Sequence, residues 1–275
     1  MASDEELLQK LPQAQSFLNS HFGKAPEIAI VLGSGLSAFA QELKNSKSIP
    51  SHELPGAVPS SVKGHKGELV MGELGKTKAL AVAGRVHGFE GYSPTQVVHT
   101  LRALRMWGVK KFILTNAAGS TSKAYRPGNL VLLKDHINFT GRNPLTGLEL
   151  FNGDRFPDMS DVYSIALRKK ARVIAKNQKV AIKEGVYVKV NGPNYETAAE
   201  IRMFAKWGAQ LVGMSTVWEA IALKQMGAEL LGISCVTNFG TGVTKQPLDH
   251  QEVIETTKAV QKTFNRFVSA LMQSL

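Results

Sequence analysis

Short apolar runs recur along the chain, and most of them end in a cluster of small polar residues before a stretch of helical spacing begins. The runs at 27–32, 79–83, 111–115, 129–133, 185–190, 209–213 and 229–237 are predicted to be strands. Continuous rather than alternating apolar runs belong to strands buried on both faces, so the spacing predicts an α/β fold whose sheet is covered by helices on either side. A length of 275 residues is enough for one large core, and no linker, internal repeat or low-complexity tract divides it. The hydrophobic share of 43% and the charged share of 20% are those of a chain that folds.

Helices are predicted from periodicity and capping. Leu7, Leu8, Leu11, Ala14, Phe17, Leu18 and Phe22 sit at helical spacing and predict one opening helix, ended by Gly23 and Pro26. Four capping boxes are predicted, in which a Ser, Thr or Asp side chain and an acid or amide three residues later satisfy each other's orphan amides. They are Ser93 with Gln96 (Pro94 in the first helical position), Thr197 with Glu200, Thr216 with Glu219, and Asp249 with Glu252. The last opens a long helix with an apolar stripe of Val253, Val260, Phe264, Phe267, Val268 and Leu271. Residues 48–67 and 239–248, rich in Pro, Gly and Ser or in Gly and Pro, are predicted to be mobile loops.

The balance of 33 Lys+Arg against 22 Asp+Glu gives +11, a charge that attracts nucleic acid, acidic membranes or small anions. The densest cluster, Arg168, Lys169, Lys170 and Arg172, falls on a predicted solvated helix face. Charge is all that favours the different-class alternative, a basic nucleic-acid-binding protein, since no nucleic-acid motif accompanies it. The lone Cys235 lies in an apolar run, which excludes a disulfide framework and suits a buried strand residue in a reducing compartment. Asp4, Glu5 and Glu6 stand where a signal peptide is basic, and no apolar run is long enough to span a bilayer. The expected location is the cytoplasm. The seven histidines form no His-x-x-x-His pair, so no metal site is expected.

Candidate chemistry collects at the strand ends: Gly33-Ser34-Gly35, Gly84-Arg85-Val86-His87-Gly88, Asn116-Ala117-Ala118-Gly119, Met214-Ser215-Thr216 and Asn238-Phe239-Gly240. Ligands of open α/β sheets bind beyond the carboxyl ends of strands, which brings such distant clusters to one crevice. Gly33-Ser34-Gly35, between a strand and a predicted helix, is either a phosphate cradle of amides, hydroxyl and helix dipole or a plain tight turn. Arg85 and His87 add a permanent cation and a second donor suited to a tetraoxyanion. Gly33, Gly35 and Ala38 also fit Gly-x-Gly-x-x-Ala with Glu53 downstream, but 48–59 holds Pro50, Pro55 and Pro59 where a dinucleotide fold needs a second strand. Glu196, just before the Thr197 cap, either reaches out of its loop or is an exposed loop glutamate.

Taken together, these segments resemble the trimeric purine nucleoside phosphorylases. The resemblance rests on Val31-Leu32-Gly33-Ser34-Gly35-Leu36, on Gly84-Arg85-Val86-His87 through Glu90-Gly91-Tyr92, on Thr115-Asn116-Ala117-Ala118-Gly119 and on Asp135-His136-Ile137-Asn138. It continues through Asp154-Arg155-Phe156-Pro157 and Met159-Ser160-Asp161, Gly192-Pro193 with Tyr195-Glu196-Thr197, Gly213-Met214-Ser215-Thr216-Val217 and Thr237-Asn238. The stretches follow family order across nearly the whole chain. The resemblance implies a single domain over 1–275 with a mixed central β-sheet flanked by α-helices. It implies a homotrimer that cleaves inosine, guanosine and their deoxy forms in purine salvage, with inorganic phosphate as co-substrate and no cofactor.

Carried over by position, the resemblance implies that Ser34, Arg85, His87, the Ala117 amide and Ser215 hold phosphate, with His65 nearby. It implies that Glu196 and Asn238 grip the purine, that Tyr195 packs on the base, that Met214 lies under the ribose and that His250 meets the 5′-hydroxyl. Phe151, one residue out of register, is expected to reach a neighbouring subunit's site. Phe89 replaces the tyrosine common in the family, which removes a ribose contact, and Trp218 replaces a proline. Glu196 together with Asn238 argues against the alternative of a methylthioadenosine phosphorylase, whereas xanthosine stays open as a substrate because side chains in the 239–248 loop could accommodate its 2-oxo group.

Overall fold

The computed structural model describes residues 3–61, 67–147, 154–245 and 250–275, with the backbone alone at 250 and 251. The chain opens with two helices, α1 (Asp4–Gln9) and α2 (Leu11–Phe22), where one was expected. Pro12 is the reason. It lacks an amide hydrogen and its ring crowds the preceding turn, so it stands in the first turn of a new helix and breaks the periodic stripe at Lys10.

Nine strands among the described residues form one mixed sheet in the order β2-β3-β4-β1-β5-β8-β7-β6-β9. Their spans are β1 (Ile28–Leu32), β2 (Lys44–Pro50), β3 (Glu68–Leu74), β4 (Thr77–Ala83), β5 (Lys111–Ser120), β6 (Leu130–Asn138), β7 (Ile182–Lys189), β8 (Leu211–Gly213) and β9 (Glu229–Phe239). β1 lies parallel to β4 and β5, and β5 parallel to β9, whereas β2–β3, β3–β4, β5–β8 and β6–β9 are antiparallel. Because β5 pairs with both β8 and β9, strands β5-β8-β7-β6-β9 close into a ring.

All seven expected strands are present, some longer than expected, and β2 and β3 are additional. β2 is an edge strand whose residues 44–48 are all exposed and polar, so it carries no apolar signal. Pro50 is tolerated there because it ends an edge strand, and residues 48–50 are therefore strand rather than loop. β3 had a usable signal in Leu69, Val70 and Met71, all buried.

Two helical layers cover the sheet. One face packs on α1, α2, α3 (Pro94–Trp107) and α6 (Val217–Gln225), the other on α4 (Ile165–Asn177) and α7 (His250–Ser274). The α7 stripe is as expected: Phe264, Phe267, Val268 and Leu271 are fully buried, and Val260 is partly so. The basic cluster lies on α4, where Arg168 and Arg172 both pair with Glu184 of β7. Cys235 is buried in β9, where burial pushes its thiol up to about 12. No described helix is long and apolar enough to cross a membrane.

Candidate functional site

A cavity of about 280 Å³ opens where these strands end. Ser34, Arg85, His87, Ala117 and Ser215 line it, and so do Phe89, Tyr195, Glu196, Met214 and Asn238. His65, Phe151, the side chain of His250 and the predicted Asp249 cap lie outside the described residues.

The elements that carry these groups differ in two ways from expectation. Asn116–Gly119 and Asn238 are not beyond their strands but inside them, since β5 and β9 stay paired to their ends across a bulge between Ala118 and Gly119. The bulge sets Gly119 opposite Asn238 and turns that pair toward the cavity. Gly33-Ser34-Gly35 leads into a six-residue 3₁₀ segment, Ser37–Glu42, rather than an α-helix, so a helix dipole contributes little. The Gly33 amide donates to the Thr115 hydroxyl at 3.1 Å, which in turn donates to the Val31 carbonyl at 2.8 Å. β5 thereby locks the turn that presents Ser34.

Arg85 is held from behind. Its Nη1 donates to Glu219 at 2.7 Å and to the Thr216 hydroxyl at 3.3 Å, and its Nη2 donates to the Thr115 carbonyl. Thr216 also accepts from Asn116 Nδ2 at 2.9 Å and lies 3.0 Å from the Ser215 hydroxyl. These long-range bonds explain why the predicted Thr216–Glu219 capping box is incomplete. Thr216 heads α6 with its backbone at φ 71°, and its side chain caps nothing. A threonine in that left-handed region costs about 1–3 kcal/mol, a strain maintained by the surrounding bonds. Burial pushes the Glu219 carboxyl up, a shift that the cations Arg85 and Lys189 oppose.

His87 is fixed through Glu90, which accepts from its backbone amide at 2.7 Å and lies 3.2 Å from Nδ1. Burial acts to raise the Glu90 carboxyl, but hydrogen bonds from His87 and Ser61 outweigh it and bring it down to about 2. An ionised acceptor places the ring proton on Nδ1. The imidazole stacks on Phe89 at 4.8 Å. Under Ser215, the buried Tyr187 hydroxyl accepts from the Ser215 amide at 3.4 Å, and burial raises its phenol to about 12.

The cavity is also lined by apolar groups, Pro193, Val212 and Met214 among them, together with Glu196 and Asn238. Glu196 is 7% exposed, and burial raises its pKa against the opposing hydrogen bond from its own backbone amide. It precedes α5 (Ala198–Lys206), whose cap is the predicted Thr197–Glu200 box, so its own carboxylate is left to the cavity. The Ser93–Gln96 box likewise forms at α3. Asn238 is oriented by its neighbours: Oδ1 accepts from Thr237 at 2.8 Å and Nδ2 donates to the Phe239 carbonyl at 3.1 Å. One amide hydrogen remains for the cavity.

Sequence reasoning read Glu219 only as the capping partner of Thr216 and assigned no site role to Lys189, Tyr187 or Thr237. For Glu219 a signal existed, since it is a lone carboxylate in the otherwise apolar start of α6. The others look like ordinary strand residues.

Residues 27–273 match the Phosphorylase superfamily. The chain is 44% identical to purine nucleoside phosphorylase 1 of Geobacillus stearothermophilus, covering 96% of this chain and 97% of that one. It is 45% identical to the purine nucleoside phosphorylase of Mycobacterium tuberculosis over 83% of this chain and 82% of that one. Its fold superposes on the crystal structure of Schistosoma mansoni purine nucleoside phosphorylase in complex with inosine with a TM-score of 0.92, at 32% identity, covering 100% of this chain and 98% of that chain. With this fold and these relatives, the chain belongs to the phosphorylase superfamily, among its purine nucleoside phosphorylases.

Proposed function

We propose that the protein cleaves 6-oxopurine nucleosides, inosine and guanosine and their deoxy forms, with inorganic phosphate to give the free base and ribose 1-phosphate. The observation that carries this is one cavity lined both by the donors Ser34, Arg85, His87 and Ser215 and by Glu196 and Asn238. Phosphate held by those donors stabilises the ribose as it becomes cationic and then attacks its anomeric carbon. No covalent enzyme intermediate is required, so the protein's contribution is positioning and electrostatics. The Ala117 amide and His65 are assigned to the same phosphate.

Asn238 donates toward N7 or O6 as negative charge develops on the leaving purine. Glu196 accepts from the N1 proton, and from the 2-amino group of guanine. Met214 underlies the ribose, with Phe89, His250 and Tyr195 around the nucleoside. We assign the chain to purine salvage in the cytoplasm, with phosphate as co-substrate and no cofactor.

The assembly proposed is a homotrimer, in which Phe151 completes a neighbour's site. In support, Phe156 is 82% exposed in the segment that follows. Light scattering on a size-exclusion column tests this, and a fully active monomer refutes it. The reaction itself is tested by a phosphate-dependent assay with inosine, guanosine, xanthosine, adenosine and methylthioadenosine. Release of base from the first two is expected, and failure to cleave any of the five refutes the proposal.

A further inference from the structure

Behind the cavity's donor residues lie a buried lysine and an indole to which the proposed reaction gives no role. Lys189, at the end of β7, is 1% exposed. Its ammonium donates to the Met214 carbonyl at 3.2 Å and to the Val190 carbonyl at 3.4 Å, and sits 3.8 Å from the centre of the Trp218 ring. Two carbonyls and a π face are what a buried ammonium needs in place of water. Trp218 is fixed in turn, its indole nitrogen donating to the Thr140 hydroxyl at 3.2 Å. The far edge of the indole lies against the backbone between His87 and Phe89: a methyl group added at Gly88 would stand 2.8 Å from it. Lysine and indole thus brace both the Met214–Ser215 turn and the His87–Phe89 loop.

The charges make the cluster more than a brace. Glu219 is ion-paired with Arg85 at 2.7 Å, and the Lys189 charge acts on it through space without a direct contact. With the lysine charged, Arg85, Glu219 and Lys189 together carry one net positive charge. With it neutral, Glu219 cancels Arg85 and the cluster offers an anion no net charge.

We propose that Lys189 is a positioning residue for the phosphate end of the cavity, holding the Met214–Ser215 turn and supplying the net positive charge that Glu219 would otherwise remove from Arg85. The inference rests on the phosphorolysis proposed above. Desolvation brings the Lys189 ammonium down to about 8, with Glu219 opposing the shift. The charged group that acts on it is therefore Glu219 of α6, itself bonded to Arg85. The nearby Tyr163 and Tyr187 are both pushed up by burial and stay neutral in this range.

The test compares kcat/KM for phosphate in the wild type and Lys189→Met from about pH 7 to about pH 9.5, since the ratio of the two cancels ionisation of phosphate and nucleoside. Near pH 7.5 the wild type is expected to exceed the variant by roughly tenfold, mainly through the phosphate KM, and the ratio should fall toward one as the pH rises past the lysine's value. A ratio near one throughout, or one independent of pH, overturns the inference. Lys189→Arg keeps a permanent cation and should hold its phosphate kcat/KM at about pH 9.5, where the wild type has fallen; a parallel decline overturns the inference even if the methionine variant does not fold. A wild type whose cleavage needs no phosphate refutes the proposed reaction and this inference together. A phosphate-dependent wild type with an unresponsive Lys189→Met refutes the inference alone.

Discussion

Replacing Asn238 by aspartate exchanges a nitrogen for an oxygen and inverts the chemistry of one cavity position. In the native protein Thr237 donates to Oδ1 and Nδ2 donates to the Phe239 carbonyl. The Thr237 bond survives the change, but the second oxygen then faces a carbonyl oxygen. Loss of that bond and the repulsion that replaces it should destabilise the fold by about 1–3 kcal/mol. The catalytic effect is larger, because a preorganised donor to developing negative charge is typically worth about 10²–10³ in kcat. Asn238 is only 6% exposed, so burial should raise the new carboxyl's pKa. As the pH is lowered the group protonates, its hydroxyl can donate, and inosine cleavage should recover relative to wild type. Adenosine, with a 6-amino donor, should gain relative to inosine when the group is ionised. The assay is the ratio of kcat/KM for inosine to that for adenosine as a function of pH, which reports differential transition-state binding. An unchanged ratio in a folded variant would show that Asn238 does not read position 6.

Arg85→Ala should raise the phosphate KM more than the inosine KM, by about 1.5–3 kcal/mol for the lost charge-assisted bond. It should also lower stability because Glu219 loses a partner, and an unchanged phosphate KM removes Arg85 from the site. For Glu196 the sign follows from its raised pKa: protonation turns an acceptor into a donor, so the inosine KM should rise as the pH falls through that value and recover as it rises. A flat inosine KM across the acid range in wild type, or the same profile in Glu196→Gln, counts against that role. Gly35→Ala places a methyl group 2.0 Å from the Thr257 hydroxyl of α7 at a φ of 74°. It should cost about 2–4 kcal/mol in a denaturant titration, and a variant as stable as wild type would disprove the close approach of turn and helix.

Features of this protein that depend on neighbouring residues were legible in the sequence. The boxes at Ser93 and Thr197 form as expected because both partners lie three residues apart and nothing distant competes for them. The apolar runs became strands because continuous burial on both faces leaves a strong compositional trace. Residues from the five strand-end clusters meet in one cavity, which the α/β pattern anticipates. Where the sequence misled, a tertiary partner or solvent had decided. Thr216 and Glu219 have the spacing of a cap, yet Arg85, which meets both across 131 and 134 residues, draws them into the site instead. β2 is stabilised by pairing with β3 alone and keeps a polar face in water, so its residues resemble a loop. A lysine in a strand reads as solvated, and only the arrival of Trp218 and the Met214 carbonyl makes Lys189 a buried charge. Local bonds are written in adjacent residues; the electrostatics of a buried site are set by which distant groups the fold brings within a few ångströms, at the low dielectric that makes each of them count.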